Sequence, residues 1–176
     1  MTSGNTYKIL LQRAFLTEGL PEPLQAHNSH LQIFDNYIEA TRLRLRKIRV
    51  PETKQWTRVL EQRFPAGADD LSQIKYAQMF LSETEYKVLE HFKGRELRKN
   101  RYFTEAGGRQ IELDVFLGPL RGLSIAKVYF ETAEELEKFE LPEFAVTEVT
   151  QDEFFFGENL VGKTFEDVRA KLNFKR

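Results

Sequence analysis

The stretch Thr41-Arg-Leu-Arg-Leu-Arg-Lys-Ile-Arg49 constrains the chain more than any other. Side chains along a strand alternate between its two faces, so an extended backbone puts Arg42, Arg44 and Arg46 on one face and Leu43 and Leu45 on the other. Guanidinium groups about 7 Å apart on one face repel one another unless something screens them. Two readings follow. The basic face is either solvated surface or the lining of a concave interior. In the second case a ligand with several phosphates is the natural counter-charge, because Arg grips phosphate through paired N–H groups.

Extended character recurs along the chain. Residues 7–16, 31–38, 55–64, 73–81, 96–104, 109–117 and 123–130 read as further strands, and 146–150 as a short one. Gly19, Pro21 and Pro23 end the first, residues 51–54 make a turn, and Gly107-Gly108 marks a hairpin. Short turns make successive strands antiparallel. Three segments read as helices. Residues 82–92 open on a Ser82/Glu85 capping box, bury Tyr86, Leu89 and Phe92, and stop at Gly94. Residues 132–139 repeat the capping pattern with Thr132 and Glu135. Residues 164–172 point Phe165, Val168 and Leu172 inward. The expected fold class is α+β, mainly antiparallel β, as one domain over residues 1–176, a length that suits a single core.

Composition narrows the function. The chain has no cysteine, which excludes a disulfide framework and a thiolate metal site. No apolar run reaches the roughly 18–20 residues of a membrane-spanning helix. The polar start lacks a signal-peptide pattern, and together these features point to the cytoplasm. A formal net charge of −1 argues against a general nucleic-acid coat, although the basic residues cluster in a few segments. A homodimer is left open.

A second basic pair, Lys99 and Arg101, shares one strand face. Glu112 and Asp114 share a face of the next strand, and the hairpin sets the two pairs side by side. Plain cross-strand ion pairing is the simplest account of them. His27 and His30 lie in a polar loop with no third ligand, and His91 sits in the 82–92 helix. Phe154-Phe155-Phe156 reads as core or barrel-end packing, with a partner-facing patch as the alternative. No Walker loop or dinucleotide fingerprint is present.

Taken in order, Asp35 to Arg46, Lys99-Asn-Arg-Tyr102, Ile111 to Phe116, Gly118-Pro-Leu-Arg-Gly-Leu123 and Glu148-Val-Thr150 resemble the CYTH superfamily, the triphosphate tunnel metalloenzymes. The likeness spans about residues 7–160. It implies a closed eight-stranded antiparallel barrel with a few outer helices. In such a barrel inward basic residues hold a triphosphate and acidic residues hold magnesium or manganese. Residue by residue, the phosphate-holding set becomes Arg42, Arg44, Arg46, Arg63, Lys99 and Arg101. The remaining acids for a metal are Glu112, Asp114 and Glu148.

The departures are as informative. The first-strand Glu-x-Glu-x-Lys signature that the resemblance implies falls on Leu10, Gln12 and Ala14. A later Glu-x-Glu pair falls on Lys127 and Tyr129. Four expected carboxylates are absent, and hard divalent cations need carboxylate oxygens. Lys127 instead adds an ammonium, which joins the phosphate-holding set and supplies charge without activating water. The expectation is a basic tunnel that binds a triphosphate or polyphosphate without metal and hydrolyses it weakly or not at all. The alternative is an active metal-dependent triphosphatase or adenylate cyclase-like enzyme with a rearranged metal site. Which one holds turns on whether Gln12, Lys127 and Tyr129 face the tunnel, since a one-residue slip would turn every side chain over.

Overall fold

The alternation along each strand closes into a barrel. The computed structural model describes residues 7–173. Nine strands appear in chain order: β1 (Lys8–Thr17), β2 (Leu31–Ile38), β3 (Leu43–Arg49), β4 (Trp56–Pro65), β5 (Gln73–Phe80), β6 (Gly94–Ala106), β7 (Arg109–Phe116), β8 (Ser124–Phe130) and β9 (Ala145–Glu148). Every pairing is antiparallel. The order β5-β4-β3-β2-β6-β7-β8-β1 is closed by a β5–β1 pairing, giving the eight-stranded barrel. The outer strand β9 pairs with Phe15 to Thr17 of β1, along the edge that β5 occupies at Lys8 to Leu11.

The register decides which residues look inward. Gln12 stands opposite Tyr129, and Ala14 opposite Lys127. Arg44 stands between Tyr37 and Glu61, and Arg46 opposite Asp35. Arg101 faces Asp114, and Glu112 faces Lys127. All of these share the inner face.

Two apolar cores brace the barrel. One lies outside the wall, where Phe15, Ile111, Leu113 and Val128 pack with Phe139 and Leu136 of the segment that includes α2 (Ala133–Lys138). The other seals one end. There Leu97, Phe116, Ile125 and Val149 meet Phe155, Leu160 and Val168 from α3 (Gly157–Leu160), α4 (Phe165–Asn173) and the 3-10 turn Glu153–Phe155. Each large apolar side chain buried there contributes about 1.5–3 kcal/mol. Phe155, in the triple-phenylalanine run, is a core residue only 4% exposed.

Helix α1 (Glu83–Leu89) has the expected cap: the Ser82 hydroxyl accepts from the Glu85 N–H and the Glu85 carboxylate accepts from the Ser82 N–H. It is shorter than the sequence suggests. Tyr86 is buried, but Phe92 lies beyond the helix and is 55% exposed. Gly94 begins β6 rather than stopping α1, and a Cβ there would lie 2.1 Å from Asn36 Oδ1.

Candidate functional site

The lumen brings strongly basic and acidic side chains together, and their partners divide them into two groups. The first is neutralised. Arg46 donates to both oxygens of Asp35, at 2.5 and 2.8 Å. Arg44 donates to Glu61 through Nε at 2.8 Å and through Nη2, and to Tyr37 Oη at 3.1 Å. Tyr76 Oη donates to the other Glu61 oxygen at 3.0 Å. Lys99 Nζ donates to Asp114 Oδ2 at 2.7 Å. Arg101 clasps the same carboxylate at 2.7 and 2.9 Å and reaches Glu112 at 2.6 Å. Asp35 and Asp114 are wholly buried.

These contacts set the protonation states. Burial would raise the Asp35 pKa, but the Arg46 and Arg44 guanidinium groups outweigh it and hold the carboxyl well below the usual range. Burial likewise opposes ionisation of Asp114, and Arg101 and Lys99 override it. At Lys99 the balance is reversed. Burial and the nearby Arg101 exceed the attraction of Asp114, and the ammonium pKa is pushed down to about 8.

The second group has no acidic partner among the described residues. Arg63 donates only to neutral oxygens, Gln12 Oε1 and Tyr129 Oη, the latter at 3.2 Å. Lys127 makes no hydrogen bond or ion pair with a described residue. Burial lowers its pKa well below the ordinary lysine value, and Lys99, Arg63 and Arg101 add to the effect while Asp114 opposes it. Lys8 stands exposed at the rim. The lumen thus holds seven basic side chains, Lys8, Arg44, Arg46, Arg63, Lys99, Arg101 and Lys127, against five acids, Asp35, Glu61, Glu112, Asp114 and Glu158. Lys8, Arg63 and Lys127 are the basic side chains of the lumen that form no ion pair with a described acid.

The cavity has two chambers. The outer one, about 340 Å³, lies beside Lys8, Tyr76, Arg101, Glu112 and Tyr129. The inner one, about 40 Å³, is bounded by Gln12, Tyr37, Phe116, Phe155 and Gly157. Arg44, Arg63, Lys99 and Lys127 border both.

Not every residue singled out in the sequence is brought here. Arg42 precedes β3, is exposed, and stacks on Phe64 with its guanidinium carbon 4.2 Å from the ring centre. Glu148 pairs in register with Phe15 on the outward face and holds Arg13 at 2.7 and 2.9 Å, away from Asp114. Asp35 and Glu61 are lumen acids that pattern reading passed over. The signal was there: Asp35 is the one acid in an otherwise largely apolar strand, and Glu61 shares the strand phase of Arg63.

A magnesium-class cation needs several carboxylate oxygens free to turn toward it. Leu10, Gln12, Lys127 and Tyr129 face the lumen at the four positions where the family resemblance implies carboxylates. Glu112 and Asp114 are engaged by Arg101 and Lys99. Among the described residues no three His, Asp or Glu side chains gather as a ligand set. The residues present do not fit magnesium or manganese.

No family model and no curated protein matches the chain. Solved structures do. The inorganic triphosphatase NE1496 superposes with a TM-score of 0.58 at 21% identity, over 86% of this chain and 93% of that one. The PH1819 protein of Pyrococcus horikoshii OT3 gives 0.52 at 16% identity, over 95% and 99%. The bh2851 protein of Bacillus halodurans gives 0.51 at 15%, over 75% and 86%. At these identities the likeness is one of fold. The closed barrel that the CYTH resemblance implied is the fold of this chain.

Proposed function

We propose that the barrel binds a triphosphate- or polyphosphate-type anion directly through its basic lumen, without a metal ion, and hydrolyses it weakly or not at all. The observation that carries this reading is the pair Arg63 and Lys127, two basic side chains in the lumen that form no ion pair with a described acid, Lys127 being pushed toward its neutral form by burial until an anion draws a proton onto it. Burying an uncompensated charge is costly, and an anionic ligand relieves that cost. Lys99, Arg101 and Arg44 border the same space and supply further donors. Arg42, outside the lumen, is a mouth or surface contact at most.

Inorganic triphosphate is the probe to use first, since the structurally similar NE1496 is named an inorganic triphosphatase. Calorimetry with triphosphate in EDTA and again in magnesium tests the reading. Similar affinity in both supports it. A strict magnesium requirement, or rapid phosphate release with magnesium or manganese, would favour the second reading, a metal-dependent hydrolase whose acids rearrange on binding.

No described helix is long and apolar enough to cross a membrane.

A further inference from the structure

The two ends of the lumen are not equivalent. The outer chamber adjoins the exposed Lys8 at the start of β1. The opposite end is filled by the 153–160 segment. Phe155 is buried there, and the Gly157 backbone comes so close to Tyr37 that a Cβ would lie 1.7 Å from the phenol oxygen. Tyr37 is itself held by Arg44. The remaining space of about 40 Å³ has room for only about three waters. A phosphate chain that entered from the rim meets at the inner end this constricted space, bordered by the carboxylate of Glu158, which opposes its passage.

Resting on the reading just proposed, we infer that this tunnel takes a linear phosphate chain by its end and cannot thread the interior of a longer one. The charge pattern agrees with the shape. A terminal phosphate carries about −1.5 to −2 at neutral pH, more than an internal phosphodiester-like unit with its single ionised oxygen. A terminal group pushed to the junction of the two chambers meets Arg63 and Lys127, the two basic side chains there that form no ion pair with a described acid. Internal units behind it meet Arg101, which Asp114 and Glu112 already neutralise.

The test counts protein copies per chain. Two long-chain inorganic polyphosphate fractions, one several times the length of the other, are titrated with the full protein in sedimentation velocity, with linear triphosphate as reference. End binding gives at most one copy at each end, hence the same number of copies on both fractions. It also predicts that Lys127→Met weakens binding to both fractions by about tenfold or more, as loss of a charged donor does. A copy number that rises in proportion to chain length overturns the inference, as does unchanged binding by Lys127→Met. Failure of triphosphate itself to bind would instead overturn the proposed function, so the two failures are distinguishable.

Discussion

Two walls of one lumen carry the same kind of side chain to different ends. On the β2–β3–β4 side, Arg44 and Arg46 are locked to Asp35 and Glu61. Where β4 faces β1 and β8, Arg63 bonds only to neutral oxygens, and Lys127 feels Asp114 across the lumen without forming an ion pair with it. The first arrangement is a finished structure, with each guanidinium satisfied and its charge cancelled. The second leaves Arg63 and Lys127 without an ion pair, the feature on which the proposed anion binding rests. Counting basic residues would rank Arg42, Arg44 and Arg46 as the anion site; counting their partners moves the site to the other wall.

If that division is right, removing an acid from the neutralised wall damages the fold first. Asp35→Asn leaves Arg46, and in part Arg44 and Lys99, as buried charges without a counter-ion. The expected loss is about 3–5 kcal/mol of unfolding free energy, the usual result of breaking a buried pair on one side. Urea denaturation measures it. A loss near zero would show that the two walls do not differ as described.

The unpaired wall should respond in the opposite sense. Lys127→Met removes a buried lysine whose burial outweighs the attraction of Asp114, so stability is unchanged or higher. Triphosphate affinity falls by about tenfold or more, equivalent to about 1.4 kcal/mol or above. Arg63→Gln should do the same. Paired denaturation and calorimetry on each variant separate the two walls: stability moves with Asp35, affinity with Lys127 and Arg63.

The pH dependence sharpens the contrast. Lys99 has its pKa pushed down to about 8 from the ordinary lysine value of 10.5. Between those values the unfolded chain binds more protons than the folded one, so the Lys99 contribution to stability is unfavourable below 8 and is relieved as pH rises toward 10.5. Affinity for the anion runs the other way. As Lys99 loses its proton the lumen loses charge, and triphosphate binding weakens through pH 8. Asp35 and Asp114, held well below 3.8, keep their stabilising charge until the pH falls far below that value. Binding that is flat from pH 7 to 9 would count against Lys99 as a ligand-facing cation.

Strand phase was legible in the sequence because one buried face enforces a period of two. It paired Lys99 and Arg101 with the Glu112 and Asp114 side of the neighbouring strand, while the inward facing of Gln12, Lys127 and Tyr129, left open in the sequence, is decided by the β1–β8 register. The closed barrel itself came from family resemblance, since alternation alone does not say how an eight-stranded sheet closes. What pattern could not supply was neighbourhood across strands far apart in sequence. Arg46 meets Asp35 through the β2–β3 register, and Arg44 meets Glu61 through β3–β4. Neither acid stood out beside a run of arginines. Phe92 misled because helix α1 ends one turn early, which leaves that ring without a wall to pack on. Glu148 misled for a different reason. Its strand, β9, pairs with the outward residues of β1, and nothing in Val146 to Thr150 reveals which strand it will join.

That last placement gives the smallest effect. Glu148 holds Arg13 in a two-point pair on the barrel exterior, with the carboxylate side chain 34% exposed. An ion pair of this exposure contributes about 0.2–1 kcal/mol. Arg13 would keep its bonds to the Phe139 and Leu136 carbonyls after the change. Glu148→Gln should therefore lower stability by less than about 1 kcal/mol, and triphosphate affinity in EDTA or in magnesium should not move. A magnesium-dependent loss of binding in this variant would place Glu148 at the lumen after all. It would restore a metal-binding role to an acid that the register of β9 turns toward the outside.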